Sequence, residues 1–162
     1  MKSGDTVPVP ELVDTDERYY LGWQERTTGE FISKDDLEYD VRGNGGDFES
    51  VYVELDCSNQ SIAPYTQIPK ATQVSLGFDV QNLGTSSDDS IKVTLSSPMS
   101  GVRFLNEKAY FRRLPAGSTG TVRGMRFVVG DSVPSGTILP IDVTLEDSEG
   151  RVWTERFEFE VR

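Results

Sequence analysis

Ile138-Leu139-Pro140-Ile141-Asp142-Val143-Thr144-Leu145, answered by Val152-Trp153-Thr154-Glu155-Arg156-Phe157-Glu158-Phe159-Glu160-Val161, is the stretch whose reading decides the fold. In the first run Leu139, Ile141, Val143 and Leu145 alternate with polar or small residues, and in the second Trp153, Phe157, Phe159 and Val161 do the same. A period of two puts one apolar face on a core and one polar face in water, the pattern of antiparallel strands in a packed sheet. Glu146-Asp147-Ser148-Glu149-Gly150 between the runs is made of turn formers, so residues 138–162 read as one long β-hairpin.

Working back from the hairpin, the same grammar repeats. Val74, Leu76, Phe78 and Val80 alternate up to Asn82-Leu83-Gly84, and Ile91, Val93 and Leu95 alternate up to Ser96-Ser97-Pro98. Val102 and Phe104 mark a short strand, Tyr110-Phe111 precede Leu114-Pro115-Ala116-Gly117, and Met125, Phe127 and Val129 are in phase. About seven short strands separated by Gly, Pro, Ser and Asp turns predict an all-β protein, an Ig-like antiparallel β-sandwich over residues 71–162.

Residues 1–70 have a different character. Residues 1–17, with Pro8 and Pro10 and then Asp14-Thr15-Asp16-Glu17, read as an extended arm with an edge strand around 7–13. Residues 18–70 read as an N-terminal β-containing extension packed on the sandwich. In it Tyr19-Tyr20-Leu21-Gly22-Trp23 and Glu30-Phe31-Ile32 flank a Thr27-Thr28-Gly29 turn and form a hairpin. Ser33 followed by acids has the look of a helix start over 33–38, residues 42–47 form a glycine-rich loop, and 48–57 form one strand. That strand carries Val51, Val53, Leu55 and Cys57 on one face, too much apolar surface to leave in water, so it must pack on the sandwich.

Composition removes several function classes. The 162 residues contain no histidine, which takes away Ser-His-Asp and Cys-His nucleophilic catalysis and ordinary zinc sites together. The one cysteine, Cys57, alternates with apolar neighbours and reads as a packed thiol. A net charge of −11 argues against a nucleic-acid partner. No apolar run reaches the roughly 20 residues that span a bilayer, so no membrane insertion is expected, and Met1-Lys2-Ser3-Gly4-Asp5 does not open a signal peptide. Residues 1–70 hold 6 basic and 15 acidic residues, net −9, whereas 71–162 hold 10 and 12, net −2. The acidic extension and the arginines of the middle strands are therefore expected to face one another.

Four groups of residues invite a functional reading. Calcium takes six to eight oxygen ligands, and the loop acids Asp88, Asp89, Asp147 and Glu149 are candidate ligands, with Asp14, Asp16, Asp35 and Asp36 further off; none follows a spaced calcium-loop motif, and solvated turn acids are the plainer reading. Among Tyr19, Tyr20 and Trp23, alternation sends Tyr19 and Trp23 to a packing face and leaves Tyr20 as the candidate for partner binding. Arg112, Arg113, Arg123 and Arg126, with Arg103, form a candidate cationic face for a partner. The 27 acids offer many carboxylate pairs for glycosidase-type chemistry, but none has a sequence context that would desolvate one member.

The order strand, Gln81-Asn82-Leu83-Gly84, strand, Leu114-Pro115-Ala116-Gly117, strand, Val133-Pro134-Ser135-Gly136, strand, Asp147-Ser148-Glu149-Gly150, strand resembles the Ig-like accessory domains called CARDB and NEW3 over residues 72–162. Those modules stand beside catalytic domains of extracellular proteins, including gingipain-type peptidases. The resemblance implies a non-catalytic spacer or interaction module, at the cell surface or outside it, whose partner is a protein or a neighbouring domain of the same polypeptide. The alternative class is a small carboxylate-based glycoside hydrolase or a carbohydrate-binding module. No cofactor is expected unless calcium binds the acidic loops.

Overall fold

The computed structural model describes residues 6–8, 14, 15, 17–25, 31–33, 38–40 and 48–162. Among them every regular element is a strand: β1 (Thr6–Pro8), β2 (Tyr19–Glu25), β3 (Phe31–Ser33), β4 (Glu38–Asp40), β5 (Phe48–Val53), β6 (Leu55–Ser61), β7 (Gln73–Asn82), β8 (Asp88–Ser96), β9 (Val102–Asn106), β10 (Lys108–Leu114), β11 (Thr119–Val129), β12 (Ile138–Glu146) and β13 (Val152–Glu160). Two antiparallel four-stranded sheets carry the core, in the orders β6-β7-β11-β9 and β10-β8-β12-β13. The hairpin of residues 138–162 is β12 and β13, paired from Ile138↔Glu160 to Glu146↔Val152.

Alternation determines which side chains meet. Val74, Leu76, Phe78 and Val80 of β7 and Met125, Phe127 and Val129 of β11 share one buried cluster with Ile91, Val93 and Leu95 of β8 and Ile141, Val143 and Leu145 of β12. Phe78 meets Phe157 edge-on at 5.3 Å between ring centroids. Each such side chain contributes about 1.5–3 kcal/mol on burial, so this interior is the main source of stability. β9 and β10 are separated only by Glu107, where the chain leaves one sheet and joins the other.

The run 48–57 is two strands rather than one. It divides at Glu54: β5 pairs with β2, in a sheet of order β3-β2-β5, while β6 pairs with β7. The 83–86 segment lies against the division, with Leu83 N donating to Glu54 O at 2.8 Å and Thr85 N to Tyr52 O at 3.0 Å. The sandwich-like packing of the two four-stranded sheets therefore takes in a strand that precedes residue 71, and Leu55, Cys57, Ile62 and Ile68 belong to their shared core. The hairpin at 19–32 forms as β2 and β3, paired at Gly22↔Ser33 and Trp23↔Ile32. β1 pairs with β4. The helix start read from residue 33 falls mostly outside the described residues; Ser33 ends β3 and Glu38 opens β4. The loop read at 42–47 lies outside them as well.

Glu17 and Tyr19 are joined to β13 by aromatic rings and by side-chain hydrogen bonds to backbone. Tyr19 meets Trp153 edge-on at 4.9 Å, and its hydroxyl donates to Val152 O at 2.8 Å and accepts from Val152 N at 3.2 Å. Trp153 Nε1 donates to Glu17 O at 2.7 Å. Asn82 is fully buried and ties the 83–86 segment to the end of β10, its Nδ2 donating to Ser86 O and Leu114 O while its Oδ1 accepts from Gly84 N. A buried amide is tolerated only when its donors and acceptor are used in this way.

Candidate functional site

The pairing of β12 with β8 brings the 147–151 turn beside the start of β8, and with it two of the candidate metal ligands. Asp88 is 2% exposed and Asp147 is 5% exposed. Asp147 organises the turn: its Oδ1 accepts from Glu149 N and Arg151 N, and its Oδ2 accepts from Arg151 Nε at 2.7 Å. Arg151 Nη2 reaches Asp88 Oδ1 at 3.5 Å. Asp89 and Glu149 are exposed beside the pair; Ser148 N donates to Asp89 O, and Arg113 Nε lies 3.9 Å from the Asp89 carboxylate.

One guanidinium between two buried carboxylates leaves a negative charge without a partner, and Asp88 Oδ2 is the atom left without a hydrogen bond. Burial, then the hydrogen bond and charge of Asp147, push the Asp88 carboxyl up to about 7. Burial works to raise Asp147 as well, but its hydrogen bonds from Asp88 and Arg151 outweigh that and hold it below its ordinary value. The physical picture is a proton shared by the two carboxyls and carried by Asp88. Arg151 already supplies the positive charge at this position, and among the described residues no three His, Cys, Asp or Glu side chains converge to hold a metal ion. The sequence reading missed Arg151, although a turn Asp followed four residues later by Arg at the hairpin's closing position signals this pairing.

The candidate partner-binding residues do not form one patch. Tyr20 is half-buried, tilted against Tyr52 at 5.7 Å, and its hydroxyl accepts from Arg18 Nη1 at 3.2 Å. Arg18 stacks over Tyr52 at 4.0 Å and reaches Glu54 Oε1 at 3.4 Å, so Tyr20 belongs to a local aromatic–cation cluster. Arg112 and Arg113 lie exposed on β10, an outer strand of one sheet. Arg123 and Arg126 lie exposed on β11 in the other sheet, and Arg103 lies on neighbouring β9.

A second acidic group lies where the edges of β6 and β13 approach. Glu17, Glu54, Asp56 and Glu155 line an open groove of about 310 Å³ beside Trp153. Burial, then the charges of Asp56 and Glu17, raise the Glu155 carboxyl. Behind it, burial and the charges of Glu155 and Asp56 push the Cys57 thiol up to about 12, which keeps it protonated and unreactive. On the outer face of the β6-β7-β11-β9 sheet, Asn59, Ser61, Ser75, Gly77, Asp79 and Arg123 line a groove of about 480 Å³. Compared with known proteins, the sequence matches no family model and no curated relative.

Proposed function

We propose that this chain is a non-catalytic binding or architectural module, an Ig-like sandwich of the CARDB and NEW3 type that holds a protein partner or positions a neighbouring domain. The carrying observation is the interior: both sheets are filled with apolar side chains, and the grooves are open to solvent on the outside. The strand orders β6-β7-β11-β9 and β10-β8-β12-β13, with the chain changing sheets between β9 and β10, support the Ig-like reading. The carboxylate pair that comes closest, Asp88 and Asp147, is sealed from substrate by burial and engaged by Arg151.

A carboxylate-based glycoside hydrolase is the second reading, and Glu155 is the residue that favours it. Its raised carboxyl in an acidic groove has the direction a general acid needs. Trp153 in that groove is only 4% exposed and is tied to Glu17, so it offers no stacking platform for a sugar. The test is a screen of the protein and its Glu155→Gln variant against glycoside, ester and peptide substrates. The module reading expects no turnover from either protein. Turnover by the parent that Glu155→Gln abolishes would replace it with the hydrolase.

A further inference from the structure

Three arginines stand at successive levels on the outer face of the β6-β7-β11-β9 sheet. On β7, Ser75 and Gly77 alternate with buried Val74, Leu76 and Phe78, so they face outward. Val122 pairs with Phe78 and Met125 with Leu76, so a bulge sets Arg123 and Gly124 together opposite Gly77. Arg126 pairs with Ser75, and Val128 pairs with both Gln73 on one side and Arg103 on the other. Arg123, Arg126 and Arg103 thus mark the levels of residues 77, 75 and 73 of β7, with Arg103 displaced by a strand or so toward the sheet edge. Alternate residues of a strand repeat at about 6.8 Å.

These guanidinium groups are not held in ion pairs. Among the described residues, Arg103, Arg123 and Arg126 have no carboxylate within ion-pair distance, in a chain whose acids outnumber its bases by 27 to 16. Asp79 lines the same groove as Arg123, one level beyond Gly77, where Asn59 Nδ2 and Thr121 Oγ1 each donate to its carboxylate at 2.9 Å; these hydrogen bonds, with a smaller contribution from the charge of Arg123, keep its carboxyl below the ordinary value. Beside the arginines the sheet surface is low. Ser61, Ala63, Ser75, Gly77 and Gly124 line the groove of about 480 Å³, and a Cβ on Gly77 would stand 3.2 Å from Val122 O. Small residues at such a place allow another backbone to approach.

We propose that this face binds an extended acidic polypeptide segment of a partner, with carboxylates at alternate residues that meet Arg123, Arg126 and Arg103 in turn. The proposal rests on the module reading and names its partner class. An extended peptide presents every second side chain on one side at the same repeat as the arginine levels, and the low floor accommodates its main chain. A dense polyanion such as a sulfated oligosaccharide fits less well, because the net −11 chain repels a high charge density while a few spaced carboxylates meet only the local cationic row.

The test uses the full chain and a fluorescent Glu-Ser repeat peptide, followed by anisotropy, with a Gln-Ser repeat, a Glu-Glu-Ser-Ser repeat of equal charge and a heparin-derived oligosaccharide as comparators. The alternating peptide is expected to bind most tightly, to weaken with added salt, and to lose about tenfold or more in affinity in Arg123→Ala/Arg126→Ala. Both positions are exposed, and an unchanged melting temperature verifies that the variant folds. Ser75→Glu, which adds a like charge to the same face, is expected to weaken binding as well. No binding of the alternating peptide, equal affinity for both acidic spacings, tighter oligosaccharide binding, or indifference to the arginine pair would overturn the inference. Any of these results without substrate turnover leaves the module reading standing, whereas turnover lost in Glu155→Gln removes that reading itself.

Discussion

At Asp88, burial and the neighbouring Asp147 act in one direction, and the consequence is a stability profile opposite to that of an ordinary surface carboxylate. The folded protein keeps a proton on Asp88 up to about pH 7, while the unfolded chain releases it near the usual 3.8. Between these values the folded state binds more protons, so the contribution of Asp88 to stability falls as pH rises and levels off above 7. Asp147 contributes the other limb: its carboxyl is held below the ordinary value, so its stabilisation is lost as pH falls into and below that range. The groups that set this balance are Asp88 with the backbone N–H of Asp89 on β8, and Asp147 and Arg151 around the β12–β13 turn. Asp88→Asn imitates the protonated acid and places an N–H toward Asp147. It is expected to flatten the decline in melting temperature between pH 5 and pH 8 and to be the more stable protein at pH 8. Parallel melting curves for parent and variant across that range would remove Asp88 as the source.

Elements are positioned here by close backbone approach as much as by apolar faces. The 83–86 segment fits between β5 and the end of β7 because Gly84 has no side chain; a Cβ there would lie 2.9 Å from Val53 Cα and closer still to Tyr52 O. Gly84→Ala must push this segment off β5 and strain the hydrogen bonds of Leu83, Thr85 and Ser86 to Glu54 and Tyr52. A loss of about 2–4 kcal/mol is expected from chemical denaturation, with faster amide exchange concentrated at Leu83, Thr85 and Ser86, whose N–H groups donate across this contact. A loss under about 0.5 kcal/mol would mean that the contact is not structural. The edge of β13 illustrates a different device. Its ends are covered, Val152 by the Tyr19 hydroxyl and Glu160 by Ile68 N, and between them Glu155 puts a charge in the inward phase of Trp153 and Phe157. An inward charge and short open length discourage pairing with a stray strand.

For the whole molecule, the β3-β2-β5 sheet and the β6-β7-β11-β9 sheet share a strand path through Glu54, so they are expected to unfold together. A chain beginning at Ala71 would lose β6, leave the β7 edge open, and remove Val53, Leu55, Cys57, Ile62 and Ile68 from the core. Circular dichroism melts and size-exclusion chromatography should show it unfolded or aggregated. A melting temperature equal to that of the full chain would overturn this account. Val53→Asp, which buries a charge at a fully enclosed position, is expected to destabilise the full chain by about 3 kcal/mol or more and to lower one cooperative transition.

Period-two alternation is a local property, and it made β7, β8, β11, β12 and β13 legible from residues alone, together with the inward set from Val74 to Val161. Absent histidine and the buried setting of Cys57 were legible for the same reason, since they depend on residue type and nearest neighbours. Tertiary structure decided what local pattern does not encode. The in-phase run Val51, Val53, Leu55 and Cys57 reads as one strand, yet its hydrogen bonds go to two sheets, because backbone donors choose partners by what lies beside them in space. Asp88 and Asp147 are turn acids in the sequence; only the β8–β12 pairing encloses them with Arg151 and changes their chemistry. The arginines scatter along the chain, and strand register alone divides them, placing Arg103, Arg123 and Arg126 on one face and Arg112 and Arg113 on the other sheet. Register depends on long-range pairing and on bulges, which is why the alternating faces could be read from the sequence and their juxtaposition required the fold.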